Sequence, residues 1–306
     1  MITTTAPAKI ILFGEHAVVY GEPAIAVPLA DLRAIATMTA SDAPLHIIAQ
    51  DLSNQTIHID DDDPLAQITR AALKGLGQAI PHARLELQSK IPIASGLGSG
   101  AAISTVIVRA LAAFNQHALN HDETNRIVYD IEKLHHGTPS GIDNTVIVYE
   151  QAIYYVRNQP IQHIANRTPF TILVANTGIG APTKIAVSDV RRLYNTKPER
   201  TKPVIERIGQ IAHSAHQAMQ AGDLPTLGEL MYENHHLLRQ LTVSSHELDI
   251  LVETARANGA LGAKLSGGGR GGNMIALVKR DDSQRMTDAL YAAGATNVLQ
   301  TKIEST

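Results

Sequence analysis

The sequence contains no cysteine. That excludes disulfides, thiolate nucleophiles and cysteine-based zinc or iron-sulfur sites, and it makes a disulfide-stapled secreted scaffold untenable. Long apolar runs are missing as well. No stretch reaches the roughly eighteen uninterrupted apolar residues of a membrane span, and Met1 to Lys9 lacks the basic-then-apolar pattern of a secretory leader. The expected location is therefore cytoplasmic, with no membrane partner. Nor does charge of one sign dominate: 26 Lys and Arg stand against 29 Asp and Glu, a formal charge of -3. No long-range field favours nucleic acid, which is not expected as a partner. What is present, 306 residues with 44% hydrophobic side chains, can build one large or two modest domains.

Short β-branched runs at Lys9 to Phe13 and Ala24 to Leu29, separated by the turn Gly21-Glu22-Pro23, predict strands at the start. The acidic run Asp60 to Asp63 reads as a solvated loop. Helical spacing follows over Leu65 to Ala79, then period-two alternation over Arg84 to Lys90. Ala101 to Phe114, apolar on most sides, predicts a buried helix, and Asp122 to His135 a second one. After the turn Gly137 to Gly141, Thr145 to Tyr149 and Phe170 to Ala175 read as strands. Beyond Pro203, helices are predicted over Val204 to Gln220, Leu227 to Leu241 and Glu247 to Asn258. Strands at Ala263 to Leu265 and Met274 to Val278 flank a glycine loop. A helix at Ser283 to Ala293 and a strand at Asn297 to Ile303 close the chain. This mixture implies an α+β fold in two domains joined near residues 155 to 170.

Two glycine loops carry the chemistry. In Pro92-Ile93-Ala94-Ser95-Gly96-Leu97-Gly98-Ser99-Gly100-Ala101, small residues lead into a strongly helical run. Free amides at a helix start attract anions, and glycine lets backbone approach a phosphate. The loop lacks the Gly-Lys-Ser/Thr ending of a Walker A motif and the glycine spacing of a dinucleotide fingerprint. A phosphate cradle and a structural turn before a core helix both remain open. Five glycines in Ser266-Gly267-Gly268-Gly269-Arg270-Gly271-Gly272 carry a high ordering entropy. Close packing against a ligand and plain flexibility are the two readings there, and Arg270 either reaches phosphate or faces solvent.

Pro7 to His16, the Gly96-Leu97-Gly98-Ser99 loop and Lys264 to Gly269 occur in that order, and together they resemble the GHMP kinase family over essentially the whole chain. Within it, Gly14-Glu15-His16-Ala17-Val18-Val19-Tyr20-Gly21 and His136-Gly137-Thr138-Pro139-Ser140-Gly141-Ile142-Asp143-Asn144 are similar to the mevalonate kinase branch. The resemblance implies a two-domain GHMP kinase fold, with a ribosomal S5 domain 2-like half over residues 1–165 and a ferredoxin-like half over 166–306. It implies ATP-dependent phosphorylation of mevalonate to 5-phosphomevalonate with Mg2+, in the mevalonate pathway of isoprenoid biosynthesis. Alternatives are a phosphomevalonate kinase, another GHMP small-molecule kinase, a mevalonate kinase of different regiochemistry, a decarboxylase of the superfamily and a non-catalytic ligand sensor. A homodimer is an open option.

The same resemblance implies residue roles. Asp143 matches the catalytic aspartate that accepts the hydroxyl proton, and Lys9 the lysine that offsets developing charge. Pro92, Ser95, Gly96, Leu97, Gly98, Ser99, Gly100 and Ala101 match the ATP-phosphate loop. Glu15, His16, Thr183 and Gly268 match substrate positions. Glu132, eleven positions before Asp143, matches the Mg2+ ligand, with Ser99 as a second. His135 and His136 point to different helix faces, which argues against a zinc triad. Two departures stand out. Gly100 replaces the second serine that ligates Mg2+ in relatives, and Arg270 interrupts the third glycine run, with Asn273 at the position of a common cysteine. Arg270 is expected to offset phosphate charge in compensation.

Overall fold

The computed structural model describes residues 1–305 except 51–54, 93–94, 137–138 and 181–182, and of His135 and His136 it describes only the backbone. The chain forms two compact units. One comprises residues 1–8, 30–92 and 98–150; the other comprises 9–29, 93–97 and 151–306.

In the first unit the distal half of β2 (Ala24–Ala40) pairs antiparallel with β5 (Ala83–Ser89), from Ala34 opposite Ser89 to Ala40 opposite Ala83. β3 (His46–Ala49) runs parallel to β5 and antiparallel to β4 (Thr56–His58). Helices α1 (Pro64–Leu76), α2 (Ser99–Phe114), α3 (His121–His136) and α4 (Ile142–Tyr149) pack on one another. The acidic run is more than a solvated loop. Its last member, Asp63, caps α1 by accepting the Leu65 N–H at 2.7 Å, with Pro64 at the first helical position. Helix α2 is apolar around most of its circumference because it is buried, with ten of its residues in the core from Ala101 to Ala112.

The second unit holds the end of β1 (Ile2–Phe13) and the start of β2, which pairs with β6 (Ile153–Tyr155); β6 pairs in turn with β7 (Gln162–His163). Its main sheet is antiparallel, in the order β11 (Asn297–Ile303), β8 (Phe170–Asn176), β10 (Asn273–Val278), β9 (Gly262–Ser266). Helices α5 (Thr183–Thr196), α6 (Pro198–Ala221), α7 (Leu224–Gln240) and α8 (His246–Ala257) lie between β8 and β9, and α9 (Ser283–Ala292) lies between β10 and β11. The resulting β-α-β-β-α-β succession with the last strand beside the first is the ferredoxin-like arrangement expected of this half.

One element is corrected outright. Thr145 to Tyr149, read as a strand, belongs to helix α4. Thr, Val and Ile favour strands, but the Thr145 hydroxyl donates to the Gly141 carbonyl at 2.6 Å and six of the eight helix residues are buried. Packing against α2 and α3 overrides propensity. Helix α5 and strands β3, β4, β6 and β7 were not anticipated, and α6 begins at Pro198, before the proline read as its boundary.

Candidate functional site

In the first unit the site residues sit at three helix ends. Gly98 caps α2 in a left-handed conformation (φ 78°) that glycine adopts freely, and as glycine it offers no side-chain cap. The first amides of Ser99, Gly100 and Ala101 are thus presented at the positive end of the helix dipole. Glu132 on α3 is buried, and its Oε1 lies 3.4 Å from the point a Cβ on Gly100 would occupy. Asp143 is half-buried in the first turn of α4, where the dipole favours a carboxylate.

Both ends of α4 are tied down. Near Asp143, Asn144 Nδ2 donates to Asn125 Oδ1 on α3 at 2.6 Å. At the far end, Glu150 accepts from Arg33 (2.7 Å) and Arg109 (2.8 Å), and Arg109 also donates to the Val148 carbonyl. Asn125, Arg33, Arg109 and Glu150 were missed in the sequence, because only the tertiary fold reveals that they brace the helix carrying Asp143.

In the second unit Lys9 is buried on β1. Its Nζ donates to the Gly96 carbonyl at 3.1 Å, and its backbone N–H donates to Leu97 at 3.0 Å, so the strand holds the start of the glycine loop directly. A second tie comes from Asn273: its Nδ2 donates to the buried Ser95 carbonyl at 2.5 Å, while its Oδ1 accepts from Asn176 Nδ2 at 2.9 Å. Asn273, noted only as a departure, is thus a structural clamp on this loop. Pro92 is exposed; Ile93 and Ala94 lie outside the described residues.

The four residues matched to the substrate cluster in this unit. Gly14 ends β1 with φ 91°, and a Cβ there would fall 2.4 Å from the Pro23 carbonyl oxygen, so glycine is required for the turn that delivers Glu15 and His16. His16 Nε2 lies 3.0 Å from the Gly268 carbonyl oxygen. That oxygen only accepts, so Nε2 carries the proton and Nδ1 presents a lone pair. Nδ1 is buried without a hydrogen-bond partner among the described residues, and burial lowers the imidazole pKa to about 4. Gly268 abuts Thr183: a Cβ on it would lie 3.0 Å from the Thr183 Cα. Ala181 and Pro182, just before Thr183, lie outside the described residues.

Glu15 is ion-paired with Lys264, and both are buried. Burial pushes the carboxyl pKa up and the ammonium pKa down, and each charge opposes the other's shift. Lys264 also donates to the Leu265 carbonyl at 2.6 Å. Among the described residues Glu15 Oε2 has no hydrogen-bond partner.

Arg270 adopts φ 62°, and its guanidinium pairs with Asp189 on α5. This partner carried no signal in the sequence, and it offsets the charge that Arg270 was expected to direct at phosphate. His135 and His136 have no described side chains. Among the described residues no group of three His, Cys, Asp or Glu can hold a metal ion, and no helix is long and apolar enough to cross a membrane.

Comparison with known proteins adds independent findings. Residues 65–151 match the family model "GHMP kinases N terminal domain", and residues 215–296 match "GHMP kinases C terminal". A mevalonate kinase of Pyrococcus abyssi is 34% identical over 98% of this chain and 95% of its own length. The structure of L. major mevalonate kinase in complex with R-mevalonate superimposes with a TM-score of 0.88 and 31% identity, covering 100% of this chain and 97% of that one. Streptococcus pneumoniae phosphomevalonate kinase, in complex with phosphomevalonate and AMPPNP, shares the fold (TM-score 0.85, 18% identity, 99% of this chain and 100% of that one). The two-domain GHMP kinase fold of mixed α and β content expected from the sequence is thus found.

Proposed function

Because the chain belongs to the GHMP kinase family, we propose that it transfers the γ-phosphoryl group of ATP to the 5-hydroxyl of mevalonate, giving 5-phosphomevalonate and ADP. The observation that carries this reading is the near-full-length similarity to mevalonate kinases, at 34% identity over 98% of the chain. Membership of a kinase family implies use of ATP; the substrate and the residue roles are the finer part of the proposal.

In this reading Asp143 accepts the hydroxyl proton as the substrate oxygen bonds to the γ-phosphorus, and the bond from that phosphorus to the β–γ bridging oxygen breaks to release ADP. Lys9 offsets negative charge developing on the reacting oxygens. The α2 amides of Ser99, Gly100 and Ala101, with Gly96, Leu97 and Gly98, hold the ATP phosphates; Pro92 and Ser95 shape the start of that loop. Glu15, His16, Thr183 and Gly268 bind mevalonate.

Mg2+ fits the residues present. A hard cation that keeps several waters needs one or two protein oxygens besides the phosphates, and the buried Glu132 carboxylate facing the α2 start supplies one. Glu132 with Ser99 would hold the ion, which neutralises phosphate charge when bound. Residues 1–165 and 166–306 are taken as the two halves, and a cytoplasmic location is part of the same reading.

The reading is tested by ADP release from purified protein with ATP and Mg2+, comparing mevalonate, phosphomevalonate, homoserine and galactose. Saturable turnover on mevalonate alone is expected. Turnover only on phosphomevalonate, or on none of the four, overturns it.

A further inference from the structure

Lys264 is among the largest fully buried side chains of the protein, on a strand whose five residues are all buried. Lysine is almost never buried to this degree unless paired. Burying an ion pair is rarely the most stable way to fill a core, since a well-packed neutral pair does as well or better. The pair with Glu15 therefore calls for a reason beyond packing.

The geometry supplies one. Lys264 donates to Glu15 Oε1 and to the Leu265 carbonyl, which fixes the carboxylate and leaves Oε2 without a donor among the described residues. The adjacent His16 is likewise fixed through Nε2 on Gly268, leaving Nδ1 without a donor. Consecutive residues thus hold two buried acceptors that lack a donor among the described residues. A buried acceptor left unsatisfied is unfavourable, and a hydroxyl-bearing substrate carries the missing donors.

We propose that Lys264 is a positioning residue for the substrate: it holds Glu15 ionised and oriented so that Oε2, together with His16 Nδ1, accepts hydrogen bonds from substrate hydroxyl groups. The proposal rests on the reading of this cluster as the mevalonate site. The charged and titratable groups facing it are Lys9 and Lys264 on Glu15, Arg270 and Lys264 on His16, and, on the neighbouring His235, Asp249, Lys264 and Arg239.

The test is steady-state kinetics and thermal melting of the full chain as wild type, Lys264→Met and the Glu15→Gln/Lys264→Met double variant. With Lys264→Met, the KM for mevalonate rises about tenfold or more while that for ATP stays within about twofold, since one oriented hydrogen bond to a charged group is lost. The kcat/KM for mevalonate also gains a dependence on pH above neutrality, as a buried carboxyl without its cation ionises late. The double variant, which removes both charges, regains the wild-type melting temperature but keeps the raised KM and loses the added pH dependence. Where Lys264→Met fails to fold, the double variant decides alone. A double variant with wild-type KM, a parallel rise in both KM values, or a Lys264→Met pH profile parallel to wild type overturns the proposal. Wild-type protein without turnover on mevalonate instead overturns the functional reading beneath it, and this proposal with it.

Discussion

Gly100 occupies the second position of α2, where the family resemblance implies a serine, and the structure shows what placing a serine there would do. The backbone of Gly100 is helical and not among the positive-φ glycines, so a side chain introduces no backbone strain. Among the described residues, a Cβ there meets one atom within 4 Å, Glu132 Oε1 at 3.4 Å, an ordinary contact. Gly100→Ser is therefore accommodated and sets a hydroxyl beside the proposed Mg2+ ligand. Glycine is about 0.5 kcal/mol less favourable than serine in a helix, so the melting temperature should rise by about 1 °C in a chain of this size. A protein hydroxyl that takes the place of an immobilised water saves about 1 kcal/mol of ordering. That corresponds to about a fivefold lower Mg2+ concentration for half-maximal rate. Magnesium titration of ADP release at saturating ATP and mevalonate, with a thermal melt in parallel, measures both. An unchanged or higher Mg2+ requirement in a variant that melts normally refutes the assignment of Glu132 and the α2 start to the metal.

Three further outcomes follow from the geometry. Asp143→Asn should lower kcat by about 10²- to 10⁴-fold, the range for a lost general base, with the KM for ATP little changed; a variant retaining more than a tenth of wild-type turnover removes Asp143 from that role. Asn273→Leu removes one hydrogen bond to the Ser95 carbonyl and one from Asn176 Nδ2, so stability should fall by about 1–3 kcal/mol, and the KM for ATP should rise more than that for mevalonate; equal effects on both would show that Asn273 is not a clamp on the proposed phosphate loop. For pH, His16 and His235 are both held near pKa 4 by burial, and the His235 Nδ1 accepts the Leu265 N–H. A base whose folded pKa lies below its unfolded value near 6.5 binds more protons when unfolded, so its contribution is complete above pH 6.5 and is lost as pH falls toward 4. Each should remove on the order of 1.4 kcal/mol per pH unit in that window. Chemical denaturation from pH 7 to 4 should show the loss, and its reduction in His235→Gln; a flat profile contradicts the buried neutral state.

Much of the site was legible because its chemistry is local in sequence. Gly96, Gly98 and the apolar run from Ala101 announce a loop opening a buried helix, and Gly14 ahead of Glu15 and His16 marks a forced turn. Gly268 lies close to His16 and Thr183 in the structure, a proximity that only the family resemblance implied. What failed did so for physical reasons. Thr145 to Val148 is β-branched or strand-favouring, and only packing makes it helical. The supports lie far apart in the chain: Lys264 is 249 residues from Glu15, and Asn273 is 178 from Ser95. Asp189 neutralises Arg270 from a helix that the alternation of residues 183–196 did not reveal. A lone Lys or Asp in sequence reads as a solvated charge until the fold supplies its partner.

The regiochemistry of transfer can be read directly from the product by phosphorus NMR. The 5-oxygen of mevalonate sits on a CH2 group, so a phosphate there is split by two protons of similar coupling into an apparent triplet; the 3-oxygen sits on a carbon without hydrogen, so a phosphate there is a singlet. A triplet from the product formed with ATP, Mg2+ and mevalonate is the predicted result, and a singlet, or no phosphorylated product at all, contradicts a mevalonate 5-kinase.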